Sequence, residues 1–277
     1  HRAAAGCAGE RRKALMLVPD QDTFENERAL MELTGRPLME VQVLGFSRLA
    51  DRVLKSAGGA GRLFLSPEGR RMALRRAIEE HSRELSLYGS VSARSGFSGK
   101  VGDLISVFKH GGVSPRELEE CAQRTDDPLL RQKLSDIAIL YDALSGFMAG
   151  RYIDSEDAQE LLITRMGEAA FLRQTEVFVD LPHSFLYTRQ TYRILSRLME
   201  LCPAVTVALR LQDEGDEDWR LFTGEARTLA LLRGMAAELG IPFTHTHLKR
   251  PQDSPQAPAI AAVERYLYRR DLPRNLP

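Results

Sequence analysis

The feature that most restricts the fold is a pair of short apolar runs separated by a helical segment near the start of the chain. KALMLVP (13–19) ends at a proline, and VQVLGFS (41–47) alternates apolar with polar residues, so both are predicted strands. Between them, TFENERALMEL (23–33) has apolar residues at helical spacing, with Thr23 as the predicted cap. Strand, helix and strand in this order predict a βαβ unit with parallel strands.

The same alternation returns in the last third of the chain. A further predicted helix, FSRLADRVLKSAG (46–58), comes directly after the first unit, and the acidic run at 213–218 is predicted to be a solvated loop. Such alternation predicts an α/β fold with a mostly parallel sheet covered by helices. The later predicted elements are a strand EVFVD (176–180), a helix from Tyr192 to Leu201, a strand VTVAL (205–209), a helix from Ala226 to Leu239 and a last strand around Phe243.

Between these two parts, residues 66–168 contain no convincing strand and are predicted to be a helical insertion. Its first helix has Ser66 as cap and Pro67 at the first helical position. Ser114 and Glu117 have the spacing of a capping box, which predicts another helix start. The clearest amphipathic helix comes next, with one apolar face made of Leu130, Leu134, Ile137, Tyr141 and Leu144. The predicted division is therefore 1–65 and 169–277 for the α/β part and 66–168 for the insertion.

Composition excludes several classes of protein. Lys plus Arg and Asp plus Glu are 38 each, so overall charge gives no argument for nucleic acid. Cys7, Cys121 and Cys202 stand far apart without a CxxC pair, which indicates neither a disulfide framework nor a metal cluster and favours a reducing cytoplasm. No apolar run is long enough to span a membrane, and the first residues lack the apolar core of a signal peptide.

Ligands of parallel sheets bind beyond the carboxyl ends of the strands, so the residues after the predicted strands are the candidates for a site. A nucleotide-hydrolysing site needs a glycine-rich loop of the type GxxxxGK[ST] after a strand, and the chain contains none. GCAGERRK (6–13) is basic and contains glycine, but it precedes its strand. It is predicted to be the tail of a helix or a disordered start, and not a phosphate-binding loop.

Asp180 ends the strand VFVD where nucleotide hydrolases hold a magnesium-bound water, and a second carboxylate would normally come after it. Leu181 stands there instead. Asp180 is therefore either the remnant of a metal site or a residue that caps the next turn. His183 is predicted to be an ordinary hydrogen-bonding residue, and His245 with His247 would share a strand face without a third metal ligand.

Basic residues are dense between Arg48 and Arg83, a stretch that contains nine Lys or Arg and only four Asp or Glu. They could contact phosphates, or they could be the solvated faces of helices, and the sequence leaves both possibilities open. Arg48 and Arg52 lie one helical turn apart near the predicted sheet edge. Three aromatic side chains near the same edge could stack on the bases of a single strand or belong to the core, namely Phe24, Phe46 and Tyr187.

Several segments together resemble the N-terminal part of the AddB family, the B subunits of bacterial AddAB-type helicase-nucleases. They occur one after another in the order found in the family and cover nearly the whole chain. The segments are LMLVPDQDTFENERAL, VLGFSRLADRVL, LSPEGRRMALRRAIEE, FKHGGVSPREL, KLSDIAILYDAL with GRYIDSEDAQELL, and VFVDLPHSFLYTRQTYRIL.

The resemblance implies a RecA-like fold of the superfamily 1 helicase 1A type, with a 1B-like helical insertion subdomain. Asp180 and Leu181 then stand at a degenerate Walker B position, which implies an inactivated motor with no catalytic residue and no metal. AddB is understood to bind single-stranded DNA and to recognise the Chi sequence during double-strand-break repair and recombination. The implied contact residues are Gln21, Thr23, Phe24, Ser47, Arg48, Arg52 and Lys109.

The resemblance also implies partners outside these residues. AddB forms a heterodimer with an AddA-type helicase-nuclease subunit, and the complex binds single-stranded and double-stranded DNA. ATP, Mg²⁺ and a 4Fe-4S cluster belong to the parent complex, so none is expected here, and the chain is expected to be part of a larger subunit. Two alternatives remain: an active ATP-dependent motor whose phosphate loop lies upstream, and a scaffold that docks a partner subunit.

Overall fold

The computed structural model describes residues 1–10, 12–35, 37–58, 61–90, 94, 96–181, 187–211 and 222–248. The strands are β1 (Ala14–Leu17), β2 (Val41–Leu44), β3 (Leu63–Phe64), β4 (Tyr152–Ile153), β5 (Glu176–Asp180) and β6 (Val205–Ala208). The helices are α1 (Arg2–Gly9), α2 (Thr23–Thr34), α3 (Phe46–Ala57), α4 (Pro67–Glu80), α5 (Phe97–His110), α6 (Pro115–Arg124), α7 (Pro128–Met148), α8 (Ser155–Arg165), α9 (Arg189–Leu201) and α10 (Thr223–Glu238).

Four of the strands form a parallel sheet in the order β2-β1-β5-β6. β1 pairs in register with β2 on one side and with β5 on the other. All four residues of β1 are buried, as expected for a central strand covered on both faces. The predicted α/β fold with a parallel sheet is confirmed, and so is the βαβ unit at its start.

The two faces of the sheet bury different residues because successive side chains of a strand point to opposite sides. Leu15 and Leu17 pack in one core with α3, α8 and α9. Ala14 and Met16 pack on the other face with residues of α1 and α2. The residue after Leu17, Val18, is also buried there, so the strand is held tightly up to the point where its loop begins.

The helical middle of the chain has a core of its own, which is formed by α4, α5, α6 and α7. The predicted helix starts are confirmed: the Ser66 side chain accepts from the Gly69 amide at 3.2 Å, and Ser114 with Glu117 forms a capping box. At the start of α2, however, Asp22 occupies the capping position predicted for Thr23, which is the first helical residue.

The packing of α8 bears on the predicted domain division. Leu162 and Ile163 of α8 are buried in the same core as Leu15 and Leu17 of the sheet, although they fall within the predicted insertion, 66–168. A two-stranded parallel sheet of β3 and β4, not predicted, brings the two ends of the helical segment together. Its strands are two residues long, too short for any periodic pattern to indicate them.

The predicted last strand around Phe243 is wrong, because residues 241–248 form neither helix nor strand. Pro242 has no amide hydrogen to donate to a neighbouring strand, and the residues after it are mostly polar and exposed. His245 and His247 therefore do not share a strand face. Among the helices of the described residues, none is long and apolar enough to cross a membrane.

Candidate nucleic-acid interface

The connections of the sheet reverse direction between β1 and β5. From β1 the chain passes through α2 to β2 on one side, whereas from β5 it passes through α9 to β6 on the other side. The helices after these adjacent strands therefore diverge, and a crevice opens at the carboxyl ends of β1 and β5. The loop after β1 and the first turn of α3 both lie at this carboxyl edge of the sheet.

Asp20 joins the loop after β1 to the start of α3. Its carboxylate Oδ2 accepts a hydrogen bond from the Ser47 hydroxyl at 2.9 Å, and its backbone carbonyl accepts from the Thr23 hydroxyl at 3.2 Å. A side chain at Gly45 would clash, since a Cβ there would stand 1.8 Å from Asp20 Oδ1 and 2.9 Å from its Cα. Sequence reasoning missed Asp20, because the pairing of β1 with β2 is what brings it to Gly45 and Ser47.

Five of the predicted contact residues lie on the two segments that Asp20 joins, which together we call the strand-end surface: Gln21, Thr23, Phe24, Ser47 and Arg48. The Phe24 ring is 71% exposed at the first turn of α2. Gln21, Ser47 and Arg48 are also accessible to solvent. Among the described residues, Arg48 has no carboxylate within ion-pair distance. The surface thus combines an exposed ring, a free cation and several polar groups.

Arg52 has intramolecular partners instead. Its guanidinium lies 4.2 Å from the centre of the Phe171 ring and donates to the side-chain oxygen of Gln42. Burial lowers the pKa of this arginine below its ordinary value. Although Arg52 is one helical turn from Arg48, its charge is stacked on an aromatic ring and directed toward β2.

Lys109 is buried at the end of α5, with 9% of its surface exposed. Its ammonium donates to Asp154 at 2.7 Å and to Asp157 at 2.8 Å, at the N-terminus of α8. Burial alone would raise the pKa of Asp154, but the charge and hydrogen bond of Lys109 hold it below its ordinary value. Burial and the charge of Asp154 raise the pKa of Asp157. The structure thus places Lys109 inside the protein, between α5 and α8, and not on the strand-end surface.

The dense basic stretch after Arg48 is largely neutralised by its own helices. Arg75 pairs with Glu79 at 3.2 Å and Arg76 with Glu80 at 2.7 Å, each one turn along α4. Lys55 pairs in the same way with Asp51 in α3. These pairs match the solvated-helix interpretation of the stretch.

The strand-terminal Asp180 is half-buried, and Leu181 is 4% exposed and packs in the α/β core. The residue beside Asp180 thus contributes hydrocarbon to the core and no oxygen to the crevice. No group of three His, Cys, Asp or Glu side chains within the described part of the chain could hold a metal ion. His183 and the acidic run at 213–218 lie outside the described residues.

The other aromatic candidates are less accessible than Phe24. Tyr187 is buried, with its ring centre 5.9 Å from that of Tyr192, and Phe46 is partly buried against the α/β core. Burial, together with the charge of Asp180, raises the pKa of Tyr187. GCAGERRK begins within α1, which leads into the amino end of β1 and so lies at the edge opposite the crevice.

Comparison with known proteins identifies one family. The family profile described as "ADDB, N-terminal" matches residues 5–264. The B subunit of the ATP-dependent helicase/deoxyribonuclease of Desulforudis audaxviator is 36% identical over 270 residues, which are 92% of this chain and 23% of the relative. The corresponding B subunits of Heliobacterium modesticaldum and Alkaliphilus oremlandii are 36% and 32% identical, over 94% and 92% of the chain. The chain spans less than a quarter of the length of these relatives.

Proposed function

The chain belongs to the family described as "ADDB, N-terminal", and on that premise we propose that it is a noncatalytic, single-stranded DNA-binding region of a helicase-nuclease subunit. The parent subunit acts in double-strand-break repair and recombination, and this region contributes to recognition of Chi. Its partner is an AddA-type subunit, and the complex takes both single-stranded and double-stranded DNA. ATP, Mg²⁺ and a 4Fe-4S cluster serve other parts of that complex.

The observation that carries the proposal is the exposure of Phe24 and Arg48 at the carboxyl edge of the sheet, where Arg48 has no ion-pair partner among the described residues. Bases of a single strand stack on exposed aromatic rings irrespective of their identity, and each stacked base contributes roughly 1–3 kcal/mol. Phe24 is thus suited to hold a base, and Arg48 to hold a neighbouring phosphate.

The start of α3 already holds an anionic group of the protein. The amides and the positive dipole end of a helix N-terminus favour an anion, and the Asp20 carboxylate lies there against Gly45. The phosphate contact therefore depends on the Arg48 guanidinium. Gln21 and Ser47 add side-chain donors and acceptors at the same edge, which suit base edges or sugar oxygens.

Leu181 supports the noncatalytic character of the region. ATP hydrolysis needs a carboxylate that orients the attacking water beside the magnesium-binding aspartate. The buried hydrocarbon of Leu181 offers no such group next to Asp180. ATP hydrolysis by the full-length subunit, measured with DNA and without its partner, tests this part of the proposal. Robust DNA-stimulated turnover would contradict it.

The DNA contact is tested by measuring single-stranded DNA binding as a function of salt. Arg48→Ala should weaken binding and lower the steepness of the salt dependence by roughly 0.7 in a double-logarithmic plot. Phe24→Ala should weaken binding about fivefold or more and leave the salt dependence unchanged, because stacking releases no counterions. Lys55→Ala, at the far end of α3, is the matched control.

The competing scaffold function gives a different result in crosslinking. Ultraviolet crosslinking of DNA to the full-length protein should yield the tryptic peptide of residues 14–28, which contains Phe24. Crosslinks recovered only from other regions, together with unchanged binding by both variants, would indicate that this region docks a partner and does not hold DNA.

A further inference from the structure

A cleft of about 370 Å³ opens on the helical insertion, away from the strand-end surface. Two aromatic side chains, Tyr88 and Phe97, form its wall, and Val101 and Ile137 are among the apolar residues beneath them. Arg94 and Lys100 stand at its rim. The volume lies at the lower end of the range of about 300–1,000 Å³ found for small-molecule sites.

The aromatic wall is held rigidly by a buried carboxylate. Asp136 of α7 is fully buried, and its two oxygens accept hydrogen bonds from the backbone amides of Ser86, Leu87 and Tyr88 at 2.8–2.9 Å. These bonds fix the backbone of residues 86–88, which belong to no helix or strand. The Tyr88 ring is thereby placed 5.2 Å from the Phe97 ring, at an angle of 53°. The cleft is therefore preformed.

Within the described part of the chain, no ion pair neutralises the two cations at the rim. Arg94 and Lys100 have no carboxylate within ion-pair distance among the described residues, in contrast to the paired arginines of the neighbouring α4. The lining of the cleft contains no acidic residue within the described part of the chain. The first turn of α5, where Lys100 lies, also has no acidic side chain. The described lining of the cleft thus carries two positive charges and no negative one.

We infer that this cleft binds a nucleotide unit, with the base against Tyr88 and Phe97 and the phosphate between Arg94 and Lys100. Such a ligand has a flat apolar body and an anionic group about one sugar away, which matches an aromatic wall with cations at its rim. A purely aliphatic acid would leave the rings without a stacking partner, and the described lining offers a metal ion no carboxylate.

The cleft is separate from the strand-end surface. It lies at the first turn of α5, a helix of 14 residues that is about 20 Å long. The other end of α5 approaches the α/β part, where the Gly111 carbonyl accepts from Arg189 at 3.1 Å. The inference does not depend on the proposed function of the strand-end surface, and the nucleotide can belong to a DNA strand or be free.

Photochemical labelling of the full-length protein tests the inference. A single-stranded oligonucleotide substituted with 5-bromodeoxyuridine should crosslink to the tryptic peptides of residues 84–94 or 95–100, which contain Tyr88 and Phe97. In a second arm, 8-azidoadenosine monophosphate replaces the oligonucleotide. Labelling of these peptides by the oligonucleotide assigns the cleft to a strand, and labelling by the monophosphate alone assigns it to a free nucleotide.

Two variants and one control complete the test. Phe97→Leu keeps a similar volume without the ring and should reduce labelling roughly fivefold or more. Arg94→Ala combined with Lys100→Ala removes exposed side chains only and should lower the salt dependence of oligonucleotide binding by up to roughly 1.4. Arg116, whose side chain is 88% exposed on α6, provides the control. Arg116→Ala should change neither the labelling of residues 84–100 nor the salt dependence of oligonucleotide binding.

The outcomes separate this inference from the proposed function. Labelling confined to residues 14–28 overturns the cleft while supporting the strand-end surface. Labelling confined to residues 84–100 supports the cleft and contradicts DNA binding at the strand-end surface. The inference is also overturned when neither probe labels residues 84–100, or when the oligonucleotide labels them and the double variant still binds DNA with an unchanged salt dependence.

Discussion

Replacing Lys109 with methionine separates a structural role of this lysine from a role in DNA binding. The family resemblance implies a DNA contact for Lys109, yet its ammonium is buried between two carboxylates. Methionine has a similar length and no charge, so Lys109→Met leaves Asp154 buried without its closest cation. We therefore expect loss of stability, and no change in the salt dependence of DNA binding by the protein that remains folded.

The size of the effect depends on the burial of each partner. Removing one partner of a buried ion pair costs about 3–5 kcal/mol, whereas an exposed pair contributes about 0–1 kcal/mol. The side chains of Lys109 and Asp154 are 7% and 3% exposed, but that of Asp157 is 39% exposed. Arg70 stays 4.0 Å from Asp154 and compensates in part. We expect a loss of about 3 kcal/mol, or about 6–12 °C in Tm for a unit of 150–250 residues.

The loss should depend on pH with a sign that identifies its cause. In the native protein the pKa of Asp154 is lowered, so its contribution to stability is present at neutral pH and is lost as pH falls through that pKa. Without Lys109, burial dominates and the pKa of Asp154 should rise, so the variant gains stability as pH falls. The difference in Tm should therefore be largest near neutrality and shrink toward about pH 4.

Thermal unfolding monitored by circular dichroism between about pH 4 and 8 measures this difference. Lys55→Met, which breaks an exposed pair on α3, serves as the control and should shift Tm little. An unchanged Tm for Lys109→Met, accompanied by a weaker salt dependence of DNA binding, would refute the structural role and restore Lys109 as a phosphate contact.

Three further changes test other parts of the structure. Gly45→Ala should destabilise the protein by about 1–3 kcal/mol and weaken DNA binding, since a Cβ there meets the Asp20 backbone. Chemical denaturation measures the loss of stability, and a binding assay on the same sample measures the loss of DNA affinity. Asp136→Ala should cost roughly 3 kcal/mol or more by chemical denaturation, because three backbone amides lose their acceptor. Arg52→Ala should lower stability by about 1 kcal/mol, through the lost contact with Phe171, and leave the salt dependence of DNA binding unchanged.

Most of the elements could be predicted because each has a local signature. The βαβ unit, the Ser66 cap and the capping box of Ser114 depend on residues a few positions apart, and all three are confirmed. The wrong strand at Phe243 is also local in origin, since a proline within a short apolar run removes the ladder hydrogen bond that a strand requires.

The candidate site was predictable only in part. Leu181, beside Asp180 at the end of β5, is visible in the sequence as a missing carboxylate. The role of Asp20 was not visible, because its contacts to Ser47 and Gly45 depend on the pairing of β1 with β2. Arg52 and Lys109 have the residue type expected of DNA contacts, but the Phe171 ring and the Asp154 carboxylate that engage them are far away along the chain.

Residue order by itself determined the alternation of strands and helices, the parallel sheet that this alternation requires, and the presence of leucine instead of a carboxylate directly after Asp180. Only the tertiary structure decided which cations are free to bind a ligand. Arg48, Arg94 and Lys100 face solvent without a partner among the described residues, whereas Arg52 and Lys109 are engaged internally. The physical reason is that the availability of a charge depends on burial and on long-range neighbours, and neither is encoded in local spacing.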